Sequence, residues 1–400
     1  MSQRRRGFMF FKTLVRDYSN SALLTGLVAV LVSYAGPLAV VFQAADAASL
    51  TETQLSSWIW SISVASAASG FFLSWKYKMP VITAWSTPGA ALVSALGQYS
   101  YPEAIGAFIV CSTLIIIFGL TGFFQKMMNL IPGSIGAAML AGILFQFGRE
   151  VFINLNVMPG LVLPVIAAYL AGKKLFPRYA IFAALATGCA MVNLLGLNGP
   201  LNPSLSWAQP LLTVPQFSWP SIVGLALPLF VVTMTSQNIP GIAVLQADGF
   251  KPKANDLITG TGLAGLLTAP FGSHAINLAA ITAAICTGPE SNAVKEKRYI
   301  AGLSCGLFYF LVSFLGAAIV VIFNMLPSAL ISTVAGLALF SSIISSLTAS
   351  MAVASEREAA LVAFLVTVSD LKIFNISSPF WGLIGGFTVL IILNASIKKN

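Results

Sequence analysis

The chain has a single histidine, His274, set in Gly272-Ser273-His274-Ala275-Ile276-Asn277 within an apolar stretch. A side chain that titrates near neutrality, placed there, offers two chemistries. It can carry a proton, or as a neutral imidazole it can brace a break in a helix by hydrogen bonding. A second polar group lies in Thr233-Met234-Thr235-Ser236-Gln237-Asn238-Ile239-Pro240-Gly241. The amides of Gln237 and Asn238 donate and accept without charge, so they suit either a substrate contact or a bond between helices. A third, Ala84-Trp85-Ser86-Thr87-Pro88-Gly89, joins an indole to two hydroxyls ahead of a proline and a glycine. Ser86 or Thr87 can cap a helix that carries Pro88 in its first turn. Ser273 and Asn277 offer similar polar groups in the other motif, with Ser273 placed to cap a second helix. Trp85, Phe271 and, beside Gly36-Pro37, Tyr34 are rings on which an aromatic ligand could stack.

These groups hold a ligand; they do not break bonds. All twelve acidic residues fall at the ends of apolar stretches or between them, so no carboxylate pair is buried. One histidine cannot build a metal site. Cys111, Cys189, Cys286 and Cys305 form no CxxC pair and read as buried thiols. No phosphate-binding P-loop sequence is present. The expectation is no catalytic residue, no metal, no cofactor and no enzymatic role.

The elements that must position these groups follow from composition. Of 400 residues, 57% are hydrophobic and 8% charged, and the mean hydropathy is +0.89. A soluble domain carries about 25% charged residues. A cytosolic enzyme, a nucleic-acid binder and a disordered chain are thereby excluded, and the net charge of +9 is scattered over short loops. The sequence predicts an all-α polytopic membrane protein whose partners are the lipid bilayer and a small molecule.

A membrane-spanning helix needs roughly 17–25 apolar residues. Fourteen stretches qualify, near 20–45, 55–75, 80–97, 102–124, 131–148, 157–172, 179–197, 219–246, 254–268, 272–288, 299–323, 326–347, 357–372 and 379–397. With a cytoplasmic amino terminus, 19 of the 21 basic residues fall inside, and only Arg149 and Lys372 outside. Fourteen spans with both termini cytoplasmic satisfy that asymmetry. Arg4-Arg5-Arg6 reads as a topology anchor beside anionic lipid rather than an export signal.

Four echoes recur in order between the halves. Pro37-Leu38-x-Val40-Val41 matches Pro228-Leu229-x-Val231-Val232, and Thr83-Ala84 matches Thr268-Ala269. Asn129-x-x-Pro132 matches Asn324-x-x-Pro327, and Ala141-Gly142 matches Ala335-Gly336. Seven spans per half implies an inverted repeat, the build of secondary transporters, with a binding site at the midplane where paired spans are broken. Spans three and ten are that pair: each predicts a short extended piece followed by a half-helix, with Trp85 and Phe271 in the extended parts. Two helix N-termini facing one cavity favour an anion.

At these three motifs the chain resembles the benzoate:proton symporter family, and the resemblance covers essentially its whole length. It is similar in architecture to nucleobase permeases and sulfate-type anion exchangers. The resemblance implies fourteen transmembrane segments as a 7+7 inverted repeat, with short strands in segments 3 and 10. It implies a core domain of residues 1–130 and 215–324 and a gate domain of residues 131–200 and 325–400. It also implies a homodimer, an inner-membrane location and import of an aromatic carboxylate with a proton. Nucleobase permeases carry glutamates where this chain has Gln237 and Ile276-Asn277. Amides in place of carboxylates favour an organic anion over a nucleobase; transport of nucleobases or of inorganic anions on the same fold is the alternative. On this reading Ser86, Thr87, Gly89, Gln237, Asn238, Ser273, Asn277, Trp85, Phe271 and Tyr34 form the substrate site, with His274 as the candidate for proton coupling.

Overall fold

A computed structural model describes residues 15–35, 37–93, 99–122, 133–197, 207–369, 371–374, 376 and 378–394. Arg4–Arg6, Gly36, Lys126, Asn129, Pro132, Asp370, Lys398 and Lys399 lie outside these residues. The first half holds α1 (Asn20–Ala35), α2 (Pro37–Ala47), α3 (Glu52–Tyr77), β1 (Thr83–Trp85), α4 (Thr87–Val93), α5 (Tyr101–Thr121), α6 (Gly133–Val157), α7 (Pro159–Leu175) and α8 (Ala180–Leu194). The second holds α9 (Trp219–Ala247), α10 (Ala254–Thr268), β2 (Ile276–Leu278), α11 (Ile281–Thr287), α12 (Tyr299–Ser313), α13 (Gly316–Asn324), α14 (Ser328–Ser350), α15 (Arg357–Val368) and α16 (Ser378–Asn394).

Each of the fourteen apolar stretches contains helix. Among the described residues, five helices are long and apolar enough to cross a membrane singly, taking α1 and α2 together. A sixth forms if the two helices of Lys295–Ser313 and Gly316–Phe323, bent by 68°, act as one. Capping boxes fix two entries into the apolar layer. Thr51 and Gln54 start α3, and Ser100 and Glu103 start α5.

Extended backbone at membrane depth must find partners inside the protein. β1 finds them in two places. It pairs antiparallel with β2, in the register Thr83 to Leu278, Ala84 to Asn277 and Trp85 to Ile276. It also lies on a serine-lined face of α3. Thr83 Oγ1 donates to the Ser66 carbonyl at 2.8 Å, and the Ser69 and Thr83 hydroxyls meet at 2.9 Å. Ser74 Oγ bonds both the carbonyl and the N–H of Val81 at 3.0 Å. α12 packs on α3 beside this face, where Gly302 permits contact: a Cβ there would lie 2.2 Å from Ser74 Oγ. The serines of α3 thus supply the hydrogen bonds that a lone pair of three-residue strands lacks.

α9 carries two π-turns, Ile222–Ala226 and Met234–Asn238, each two residues ahead of a proline. Pro228 and Pro240 lack an N–H, and each ring crowds the carbonyl four residues back. The ladder slips by one residue as a result: Leu227 N–H bonds to Ile222 and Ile239 N–H to Met234. Such bulges recur at functional sites because they turn side chains off the helical register.

Three expectations about span ten are corrected. Ser273 does not cap the second half-helix, because β2 intervenes and α11 begins at Ile281. Phe271 is not in the extended part; it ends a 3-10 turn, Ala269–Phe271, forced by Pro270 and closed by Gly272 at φ 112°. The Thr83-Ala84 echo of Thr268-Ala269 does not join structural counterparts either. Thr268 ends α10, whereas β1 is answered by Ile276–Leu278.

α6, α14, α15 and α16 pack on one another, and α7 packs on α8. α1 and α3 pack on α12, and α5 packs on α10. α2 lies against α14, so the first span bridges the two groups.

Candidate functional site

Behind the strand pair lies a polar knot sealed from solvent. Ser86, Asn238, Ser273, His274 and Asn277 are each 0% exposed. Ser86 caps α4: its Oγ accepts from the Gly89 N–H at 3.0 Å and from Thr233 Oγ1 at 3.2 Å. Its backbone N–H bonds to the Ala275 carbonyl at 3.0 Å. Asn277 is oriented with its amide oxygen 2.9 Å from that same N–H and its nitrogen donating to the Leu278 carbonyl at 3.0 Å. Asn238 ties α9 to β2, its Oδ1 accepting from Leu278 N–H at 2.9 Å, while its Nδ2 faces Met234 Sδ at 3.1 Å.

His274 completes the knot, and its partners fix its protonation. The Trp58 indole N–H, which can only donate, lies 2.9 Å from Nδ1. The Ser86 carbonyl, which can only accept, lies 2.9 Å from Nε2. Nδ1 is therefore the acceptor and Nε2 carries the hydrogen, the neutral tautomer. A second proton on Nδ1 would oppose the indole N–H. The edge of Trp58 and the ring of Phe108 cover the imidazole at centroid distances of 5.5 and 6.2 Å.

Gly89 permits α4 to lie against α9. A Cβ on it would sit 2.6 Å from Leu229 Cδ1 and 2.8 Å from both Cβ and Oγ of Ser86. Gly89→Ala is expected to cost about 1–3 kcal/mol of stability by overpacking. Thermal unfolding of the purified variant checks this; an unchanged melting temperature contradicts the contact.

In front of the knot is a cavity of about 290 Å³. Trp85 and Thr87 line it from the β1–α4 turn, Ala280 and Thr282 from the start of α11, and Gln237 from the π-turn of α9. Ile181 and Phe182 of α8 and Leu339 of α14 close it from the opposite side. The volume sits at the lower end of small-ligand pockets, roughly 300 Å³. None of the described lining residues is charged. Two side chains on its wall hold buried polar atoms without a partner among the described residues: the Trp85 indole N–H and the Thr282 hydroxyl. Burying a donor unpaired costs about 1–3 kcal/mol, so each is a group with hydrogen-bonding capacity unspent. Pro177, Ala284 and Ser341 are lining residues that are also exposed, which places the mouth at the α7–α8 turn.

The structure therefore divides the expected site. Trp85, Thr87 and Gln237 line the cavity. Ser86, Gly89, Asn238, His274 and Asn277 lie behind it and hold the strands and half-helix in place. The Ser273 hydroxyl is buried without a partner among the described residues, and Ser273 does not line the cavity. Phe271 packs edge-on against Trp60 at 5.6 Å, outside the cavity. Tyr34 acts one step removed: its hydroxyl bonds Ser63 Oγ, and its ring meets Trp85 edge-on at 5.3 Å. Tyr309 backs Trp85 at 6.0 Å. The sequence reading missed the cavity residues Thr282, Phe182 and Leu339. No motif marks the two apolar ones; Thr282 was visible only as a hydroxyl just inside the second half-helix.

Comparison with known proteins follows this geometry. Residues 16–392 match the family described as benzoate membrane transport protein. The benzoate membrane transport protein of Acinetobacter baylyi is 41% identical over 383 residues, 96% of this chain and 97% of that protein. The inner membrane protein YdcO of Escherichia coli is 43% identical over 379 residues, 94% of this chain and 97% of that one. Among solved structures, the transmembrane domain of a cyanobacterial bicarbonate transporter, BicA, superposes with a TM-score of 0.59 at 14% identity, covering 92% of this chain and 97% of that one. The murine anion transporter Slc26a9, in its inward-facing state, gives 0.64 at 14% identity, covering 98% and 73%. At such identities the likeness is one of fold, a helical membrane-transporter fold. The chain belongs to the benzoate membrane transport family.

Proposed function

We propose that this member of the benzoate membrane transport family imports benzoate, or a related aromatic carboxylate, with a proton across the bacterial inner membrane by alternating access. The observation that carries the reading is the cavity between the β1–α4 turn and the start of α11. Its walls of Trp85, Ile181, Phe182 and Leu339 suit an aromatic ring. Lining residues also carry the kinds of group a carboxylate needs: the Trp85 indole N–H, the Thr87 and Thr282 hydroxyls and the Gln237 amide. Benzoate enters with its ring between Trp85 and Phe182 and its carboxylate toward those donors.

Supports for the wider account are the packing groups and the strand register. Spans one to four and eight to eleven make the moving core; spans five to seven and twelve to fourteen make the gate, with α14 and α8 facing the substrate across the cavity. Antiparallel pairing of β1 with β2 is what a two-fold axis in the membrane plane would give, and so supports the inverted 7+7 arrangement. With both termini cytoplasmic, the mouth at Pro177 opens inward. Phe42 of α2 and Phe323 of α13 stack at 4.1 Å, 9° from parallel.

The test is uptake of labelled benzoate into proteoliposomes under an imposed pH gradient, against protein-free liposomes that report the leak of the neutral acid. Saturable, gradient-dependent uptake beyond the leak is expected; uptake equal to the leak contradicts the reading. Gln237→Glu sets a carboxylate against the substrate's own. Benzoate affinity is expected to fall about tenfold or more, the effect of roughly 1.4 kcal/mol, and titration of the purified variant checks it. Unchanged affinity would remove Gln237 from the site.

A further inference from the structure

The cavity wall carries no charge among its described residues, yet an ammonium group stands at its mouth. Lys173, in the last turn of α7, donates from Nζ to Ser341 Oγ at 3.1 Å. Ser341 is itself a lining residue at the exposed rim. The Lys173 Nζ also lies 5.8 Å from the ring centroid of Tyr169, which packs edge-on with Phe340 of α14 at 6.0 Å. The cation is thus held toward the opening by a ring on one side and a hydroxyl on the other. No carboxylate forms an ion pair with it among the described residues. Lys174, its neighbour in sequence, is exposed as Lys173 is, but among the described residues only Lys173 bonds the rim.

We infer that Lys173 is the docking charge at the inner mouth: it receives the substrate carboxylate as it leaves the cavity. The inference rests on the carboxylate reading above. A carboxyl moving from an uncharged cavity toward an ammonium meets a field that favours its ionised form, so the proton departs to water and the anion is drawn outward. An unpaired lysine that holds a serine hydroxyl also exchanges that bond for a carboxylate at little cost, because the ammonium keeps three donors.

The measurement is benzoate efflux and counterflow from the inner side of oriented proteoliposomes, at low and at high ionic strength, for wild type, Lys173→Met, Lys173→Arg and Lys174→Met. Lys173→Met is expected to raise the inner-side KM about five-fold at low salt, where a unit charge at contact distance is worth about that factor. Turnover is expected to hold, Lys173→Arg to retain the wild-type KM, and the gap to close at high salt as the charge is screened. Lys174→Met, with the same net charge, should match wild type. If Lys173→Met keeps the wild-type salt dependence, or if Lys174→Met behaves identically to it, Lys173 is not the docking charge. Wild type that moves no benzoate at either salt overturns the carboxylate reading itself, a result distinct from a saturable wild type with an inert Lys173.

Discussion

Trp85→Phe is expected to lower benzoate affinity by about tenfold to a hundredfold while leaving the fold intact. The indole N–H is buried and unpartnered among the described residues, on a side chain that lines the cavity. A hydrogen bond to a charged group contributes about 1.5–3 kcal/mol, which is the expected loss when the ring stays and the donor goes. Stability should move the other way, or not at all. An empty cavity leaves the N–H unsatisfied, and phenylalanine has no polar atom to bury. Tyr34 and Tyr309 would still contact the shortened ring from two sides. Titration calorimetry paired with thermal unfolding separates the two effects. A variant that binds benzoate as wild type does would take the indole out of the carboxylate site, and a variant that fails to fold would make Trp85 a packing residue.

The second large effect concerns His274. Removing its side chain leaves the buried Trp58 N–H without its partner, while the Ser86 carbonyl keeps only the Ala90 N–H at 2.8 Å. The orphaned donor costs about 1–3 kcal/mol, and the void where the ring stood adds to it. His274→Ala should therefore be severely destabilised. His274→Gln, which can keep one of the two bonds, should fold and transport with the pH profile of wild type. A proton carrier would instead lose that profile. With the imidazole held neutral, and no titratable side chain among the described lining residues, the proposed proton coupling has the substrate's own carboxyl as its candidate carrier. Ring-substituted benzoates of different acidity should then shift the pH dependence of transport in step with their own pKa. A profile fixed across substrates, or one flattened in a well-folded His274→Gln, would return the proton to the protein.

The broken spans beside the cavity were legible in the sequence; which residues face the cavity was not. Gly and Pro breaks in two matched spans, with hydroxyls beside them, point to where the backbone leaves the helix. What a sequence cannot give is which side of a three-residue strand faces the ligand. Trp85, at the end of β1, lines the cavity, while Ser86, next to it and outside the strand, turns into the knot to cap α4. That choice depends on the register of β1 against β2 and on the serine face of α3, both set by tertiary packing. Similarly, Gln237 and Asn238 are adjacent amides with separate tasks. The π-turn forced ahead of Pro240 sends one to the cavity and the other to Leu278 N–H. Phe182 and Leu339 carried no signal because an apolar residue facing substrate looks like one facing lipid. Span ten misled through Pro270 and Phe271, whose 3-10 turn displaces the strand toward Ile276.

The most direct test of the central claim is the melting temperature of the purified protein with benzoate, uracil, sulfate and bicarbonate in turn, each over a concentration series. A ligand that binds only the folded state raises that temperature with concentration, without interference from leak of the neutral acid through lipid. The account predicts a rise with benzoate that is reduced in Trp85→Phe, and none with uracil or bicarbonate. A rise with uracil or bicarbonate and none with benzoate would contradict it.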